Sequence, residues 1–412
     1  MKILSTSCVF GAVLLAASLG AHGQQFYTDT PAISELPVEN AEELGSISKL
    51  PLLFSVSVRE GYDDNVFATD TNREGSFFTN FGLGTAYEFG SSRLQLRTAA
   101  GGGVTYYYSR PGDKVDLTGN VSLIATYLAT PRLTLSFSTY TAYISQPDYN
   151  VQGTSASNGN QNGDYFYSAN DLTANYSWTD LISTTTRYNI TGYVYADSSL
   201  NDSQGRIEQT IGQSFNYLLL PKTTVIAEYR ANPITYYQAD LNSFGNFFLV
   251  GIDQIFNPRF QWNSRLGVEW RFTQNPTDGE GQYVGPYMES TLTYSYAKRS
   301  NLSWTMRYGT EASGLADVTE RQTFRTAFNL QHSITARLSA NANLGYQFNY
   351  YDQANVITSY YENVVDAGVQ LTFNMNRIFN VNLGYTYSAV FSDNSDREYY
   401  RNIVYLGSSA NF

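Results

Sequence analysis

The sequence is short of charge, cysteine and histidine, and each shortage removes a class of protein. Charged residues make up 15% of its 412 positions, and the net charge is −11. A nucleic-acid-binding surface needs a basic face, so that class is disfavoured. There is one cysteine, Cys8, and there are two histidines, His22 and His332. An internal disulfide is impossible, and a Cys/His zinc centre has no ligand set. Long apolar runs are also missing. Beyond the N-terminus no stretch reaches the roughly 18 residues that a membrane-crossing helix needs.

Against these shortages stand 35 tyrosines and 24 phenylalanines, at a mean hydropathy of −0.31. Neither a dry globular core nor a helical bundle in lipid gives that combination. A surface with one face in lipid and the other in water does. The pattern agrees. In Phe379-Asn380-Val381-Asn382-Leu383-Gly384-Tyr385-Thr386-Tyr387-Ser388 every odd position is apolar or aromatic and every even one small or polar. A two-residue period belongs to a strand. It recurs along the chain and runs to Phe412.

Three regions follow. Residues 1–23 read as a cleaved secretory signal: Lys2 is its positive end, Val9 to Leu19 its apolar run, and Ala21-His22-Gly23 the small-residue site before Gln24. The run is too short for a retained membrane anchor. Cleavage removes Cys8 and His22 and leaves one imidazole, His332. Residues 24–50 form an acidic, Pro-containing periplasmic lead-in with Pro31, Pro37, Glu35, Glu39, Glu42 and Glu43. Residues 51–412 hold about 18 strand candidates, with roughly 16 and 20 as bounds.

Tight turns are expected at Gly90-Ser91-Ser92, Thr130-Pro131-Arg132, Thr179-Asp180, Pro221-Lys222, Asn257-Pro258-Arg259, Lys298-Arg299-Ser300, Thr335-Ala336 and Asn374 to Arg377. Looser polar connections fall at 62–75, 109–113, 145–164, 197–205, 275–282, 314–320, 352–359 and 392–396. Short and long connections therefore alternate, and the tight turns return roughly every 40 residues. A soluble propeller has a similar period but shorter strands, and its blade signatures are missing. The expected fold is all-β: a transmembrane antiparallel up-and-down β-barrel in the outer membrane of a Gram-negative-type bacterium. An even strand count puts both termini in the periplasm.

Alternation also sorts the faces. Leu338, Ala340, Leu344, Tyr346 and Phe348 point outward, as do Phe260, Trp262, Leu266, Val268, Trp270 and Phe272, and Leu302, Trp304, Met306 and Tyr308. Aromatic pairs sit at strand ends, as at Tyr106-Tyr107-Tyr108 and Tyr399-Tyr400, where interfacial girdles belong. The opposite face holds the charges. Arg97, Arg187, Arg230, Arg265, Arg271, Arg307, Arg325 and Arg401 fall there. So do Glu88, Asp116, Asp171, Glu208, Glu228, Asp253, Glu269, Glu289 and Asp366. A bare charge facing lipid costs about 2–4 kcal/mol at mid-depth, so this face is read as a wet lumen. Near-balanced charges serve either as wall-stiffening pairs or as a selectivity field. Inward Tyr107, Tyr193, Tyr195 and Tyr287 either fill space at the wall or stack sugars.

Two short motifs are specific. Gly407-Ser408-Ser409-Ala410-Asn411-Phe412 resembles an outer-membrane assembly signal, with Gly407, Ala410 and the terminal Phe412 as its elements. It departs from the usual pattern at Leu406 and in the small Ala410. Such a signal implies periplasmic chaperones and the barrel-assembly machinery as partners. Ser55-Val56-Ser57-Val58-Arg59-Glu60-Gly61-Tyr62-Asp63-Asp64-Asn65-Val66-Phe67, followed by Ser76-Phe77-Phe78-Thr79-Asn80, resembles the opening of the putative β-barrel porin 2 family. That resemblance implies an outer-membrane barrel, a channel for solutes or for polysaccharide, and no catalytic residues to carry over. Members often lie in exopolysaccharide secretion loci.

No cofactor or metal is expected. Asp63, Asp64, Asn65 and Asp70 could offer oxygen ligands to Ca²⁺, but they lack an EF-hand's glycine and distant glutamate, and a solvated first loop is the plainer reading. By analogy with general porins the third external connection, 145–164, either folds inward or stays outside. Functionally a passive channel for solutes or polysaccharide comes first, with a non-transporting structural or adhesive barrel as the alternative. A surface hydrolase would need a serine within reach of His332, and Ser333 points to the other face. A plugged transporter of about 22 strands does not fit the length.

Overall fold

A computed structural model describes residues 52–145, 164–275, 279–315, 318–351, 360–393 and 397–412. The expected signal and lead-in, residues 1–50, lie outside the described residues, as does the 145–164 connection except its two ends.

Eighteen strands follow one another around the chain. They are β1 (Leu52–Asp63), β2 (Ser76–Gly90), β3 (Leu94–Tyr107), β4 (Val115–Thr130), β5 (Leu133–Ile144), β6 (Tyr165–Ser177), β7 (Ile182–Tyr195), β8 (Arg206–Leu220) and β9 (Thr223–Tyr236). The second half holds β10 (Ser243–Asn257), β11 (Phe260–Asn275), β12 (Gly279–Ala297), β13 (Ser300–Leu315), β14 (Val318–Ser333), β15 (Leu338–Tyr351), β16 (Tyr360–Asn374), β17 (Phe379–Ser392) and β18 (Tyr399–Asn411). One short helix, α1 (Ser198–Gln204), sits between β7 and β8. Each strand pairs antiparallel with its sequence neighbours, and β1 pairs with β18 from Ser55↔Asn411 to Asp63↔Ile403. Closure leaves no free edge along most of the wall, so backbone groups facing lipid are paired within it, except where β12 and β13 separate.

The side-chain alternation does the radial sorting. Val250, the midpoint of β10, is 66% exposed on the outer face, with Phe215, Leu266, Leu344 and Leu406 also exposed there. A belt this apolar is stable only in lipid. The aromatic clusters at strand ends split by parity. Tyr106, Tyr108, Tyr237 and Tyr400 are exposed on the outside, while Tyr107, Tyr236 and Tyr399 are buried inside.

All eight tight turns stand where the sequence puts them, and together with both ends of the barrel they form one rim. The other rim differs from expectation in two ways. Residues 275–282 and 314–320 are mostly strand, since β11 and β12 stay paired to Asn275↔Gly279 and β13 and β14 to Leu315↔Val318. Alternation fades there because lipid contact ends, while the hydrogen-bond ladder continues. A connection at 237–242, between β9 and β10, was not expected from sequence.

Candidate functional site

The sequence Gly285-Pro286 breaks the wall. Among the described residues β12 pairs with β13 only between Met288↔Tyr308 and Ala297↔Ser300. Above Met288, β12 pairs with β11 alone. Proline has no N–H to give a ladder, so Pro286 suits a strand edge. Beyond Tyr308 β13 parts from β12, while β14 stays paired with β15 as far as Arg321↔Tyr351. The β13 residues Gly309, Thr310, Glu311, Ala312 and Ser313 are all buried, with none of the alternation of a wall strand. Gly309 marks the departure: a Cβ there would lie 2.7 Å from the Tyr287 ring.

Three contacts hold the β13–β14 hairpin inside. The Thr310 amide donates to Glu269 Oε2 at 3.0 Å, bypassing β12 to reach β11. Arg271 Nε on β11 lies 3.4 Å from Glu320 Oε1. Ala312 packs with Ile234, Tyr236 and Leu241, the last from the unexpected 237–242 connection. Helix α1 touches β13 as well. Asp197 caps that helix by accepting from the Ser199 and Leu200 amides. The Ser199 hydroxyl and those amides hold its carboxyl below the usual carboxylate range. Opposite, the first connection also leans inward. Ala68, at a left-handed φ of 50°, packs on Val364, Val390 and Tyr399, and Val66 packs on Phe78 and Tyr107.

Among the described residues the barrel's own segments therefore occupy part of the long-loop half of the lumen, and several of its charges are dry. Glu269 is 0% exposed, Arg271 1% and Arg325 1%. Buried charges persist only when paired and hydrogen-bonded. Arg271 Nε donates to Glu269 at 2.7 Å, and its other nitrogens reach Ser243 and Asn232. Arg230 on β9 meets Glu228 at 2.6 Å and crosses to Glu289 and the Tyr287 hydroxyl on β12. Arg206 holds Glu208 at 2.8 Å under Tyr193. Glu362 accepts from Arg397 at 2.7 Å, from Asn349 and from the Tyr351 hydroxyl.

The expected lumen residues stand at strand positions of opposite parity to the exposed apolar belt. Arg97 sits opposite Glu88 in the β2–β3 register. Arg187 lies 3.6 Å from Asp171, with 42% of its side chain exposed, so water reaches the short-turn half. Arg265 bridges Asp253 at 2.8 Å and Glu228 at 3.5 Å. Arg307 and Arg325 share Glu311. Asp366 accepts from Asn343 at 2.9 Å. The wet lumen read from the sequence is thus corrected among the described residues: Glu269, Arg271 and Arg325 are dry, while water reaches Arg187 nearer the short-turn rim. Tyr107, Tyr193, Tyr195 and Tyr287 are buried and fill space at the wall. Sequence reasoning missed Arg206, Glu311, Glu320, Arg321 and Glu362, which it left beside or inside connections.

The Tyr-Asp-Asp-Asn stretch is corrected too. It is not a solvated loop. Asp63 and Asn65 are 0% exposed. Arg401 Nε donates to both Asp63 oxygens, and Asn402 donates twice to Asp64 at 2.6 Å. Asn65 donates to the Tyr400 carbonyl, and Asp70 pairs with Arg73. These oxygens pin the first connection to β18. The tertiary fold also brings Ser300 Oγ to 3.4 Å from His332 Nδ1, beside the Tyr296 hydroxyl at 2.8 Å. Ser300 is buried and accepts from the Ser333 amide.

The model of the family described as putative beta-barrel porin 2 matches residues 52–412. The chain belongs to that family. Family membership and the closed, apolar-belted barrel make it an outer-membrane, porin-like β-barrel. No curated protein matches the chain. Among solved structures it is similar to a BenF-like porin from Pseudomonas fluorescens Pf-5, at 11% identity, TM-score 0.46, 88% of this chain and 99% of that one. It is also similar to OccAB3 from Acinetobacter baumannii, at 9% identity, TM-score 0.45, and 88% and 99% coverage.

Proposed function

We propose that this barrel is a passive diffusion channel for small hydrophilic solutes, with the folded-in β13–β14 hairpin as its constriction. Radial sorting of charge carries the reading: Arg97, Arg187, Arg265 and Asp366 face inward while Val250, Leu266 and Leu344 face lipid. A barrel of about 18 strands is wide enough for an aqueous path once its wall is built this way. The short-turn rim with both barrel ends is read as periplasmic and the long-loop rim as external. The C-terminal Gly407, Ala410 and Phe412 are read as the assembly signal, met by periplasmic chaperones and the barrel-assembly machinery. Export of a polysaccharide would require the hairpin to leave the lumen.

Planar-bilayer recordings of the purified barrel test this. Discrete conductance steps support the channel, and liposome swelling with sugars of graded size then gives the cutoff. A second reading, a barrel without transport activity, is favoured by the burial of Glu269 and Arg271 across the lumen. A silent bilayer with correctly folded protein would select it.

A further inference from the structure

The outer belt is not the same all the way round. Thr326 on β14, Asn363 on β16 and Asn402 on β18 stand at belt positions, and each accepts from an aromatic tip: the Trp304 ring N–H, the Tyr346 hydroxyl and the Tyr385 hydroxyl. The wall from β6 to β8 departs from that pattern. Asn170 on β6 and Gln209 on β8 flank Ile190 on β7, all three at positions of the belt's parity. Asn170 donates its amide nitrogen to Ser168 at 3.1 Å and to the Ile190 carbonyl at 3.5 Å, and among the described residues no donor reaches its Oδ1. Gln209 Oε1 accepts from the Tyr188 hydroxyl at 2.7 Å, and its Nε2 meets no acceptor among them. Exposed apolar side chains bracket both amides: Phe166 and Val194 toward the long-loop rim, Leu172, Ile211 and Phe215 toward the short-turn rim. The amides therefore lie within the apolar belt. An unmet polar group has no water to turn to there and is costly.

Beside them the belt is thinned. Ala100, Gly102, Gly119 and Thr141, at belt positions of β3, β4 and β5, leave a groove of about 640 Å³ between Phe54 and Phe166. The wall itself does not demand glycine there: a Cβ at Gly102 would come no nearer than 3.5 Å to any neighbour, and one at Gly119 no nearer than 3.8 Å. Small residues on a lipid-facing surface let another wall approach closely.

We propose that the outer face of β3 to β8 is an interface with a second copy of this barrel, packed side by side in the membrane. The inference goes beyond the channel reading and holds whether or not the lumen conducts. A lipid tail offers neither donor nor acceptor, so lipid leaves both amides unmet. A second copy, turned about an axis along the membrane normal, brings the same surplus amide N–H and the same surplus amide oxygen. The surface is thus complementary to itself: the donor that lacks an acceptor and the acceptor that lacks a donor belong to one patch. Six strands about 4.8 Å apart, over a lipid band about 25 Å tall, present roughly 700 Å² per copy, close to the roughly 800 Å² that each side of a standard interface buries.

The test labels the full-length barrel at its N-terminus with donor or acceptor dye and reconstitutes the mixture in phosphatidylcholine vesicles at falling protein-to-lipid ratio. Energy transfer is expected to persist on dilution and to fall with a saturable midpoint. Asn170→Leu combined with Gln209→Leu should move that midpoint to about tenfold higher protein density, while the barrel stays folded. Gly102→Leu, which fills the groove, should move it the same way. Val369→Asn, on the opposite wall, should leave it in place. Transfer in the wild type no greater than random collision would overturn the interface, and so would a monomer that retains tightly bound lipid, since lipid would then fill the groove. A midpoint unmoved by the double change and by Gly102→Leu would overturn it too. Should the double variant fail to fold, Gly102→Leu alone decides.

Discussion

Arg230 on β9 donates to both carboxylate oxygens of Glu289 on β12, at 3.0 and 2.6 Å, with two strands between them. Such a chord exists only on the concave side of a curved wall, so this pair locates the lumen. Removing one partner leaves the other largely buried and uncompensated. Glu289→Ala should destabilise the barrel by about 3 kcal/mol, the lower end for a buried pair because some water reaches it. Replacing both residues by methionine should cost less than either single change. Urea unfolding in detergent micelles measures the difference, and a larger loss in the double variant would contradict the pairing argument.

The hairpin is a part that can be cut out. Gly309 and Thr323 face each other in the β13–β14 register, so a two-residue Asn-Gly turn can join them in place of residues 310–322. The shortened barrel should conduct at least about twofold better, because its narrowest element is gone. It should also lose the burial of Ala312 against Ile234 and Leu241. Unchanged conductance would mean that the hairpin is not the constriction.

How far the sequence reaches is clear from two neighbouring arginines. Arg325 was placed on the inner face by parity alone, because Phe324 and Thr326 flank it within an unbroken alternation. Arg321, four residues earlier, was not, because Glu320 and the glycine at 314 look like a connection. Alternation tells which way a side chain points within a wall. It does not tell whether the wall is still there, which depends on Pro286 in another strand failing to receive β13. The fold, the turns and the belt are local properties and were legible. The inward hairpin and the Glu311 cluster are long-range outcomes, and the Asp63–Arg401 pair spans nearly the whole chain.

The lipid belt makes a simple asymmetric prediction. Val250→Lys puts a charge on the outer face at mid-strand and should cost about 2–4 kcal/mol. Asn341→Lys, on the inner face of β15 in the wetter half, should stay within about 0.5 kcal/mol. Parallel unfolding titrations in lipid vesicles compare them. Similar costs at both positions would undo the assignment of faces.

The last residue closes the barrel twice over. The Phe412 amide donates to the Phe54 carbonyl at 2.8 Å, and the Phe54 amide donates back at 3.0 Å. Phe412 is 58% exposed. Structural closure and recognition predict different consequences of deleting it. Loss of two hydrogen bonds should cost about 1–3 kcal/mol in refolded protein, at roughly 0.5–1.5 kcal/mol each. Loss of an assembly signal should reduce barrel in the outer membrane far more than that, while refolding in detergent continues. Heat-modifiable mobility on gels, measured in membranes and after refolding, separates the two. If both preparations fall by the same small factor, Phe412 acts through closure alone and the assembly reading of Gly407, Ala410 and Phe412 is wrong.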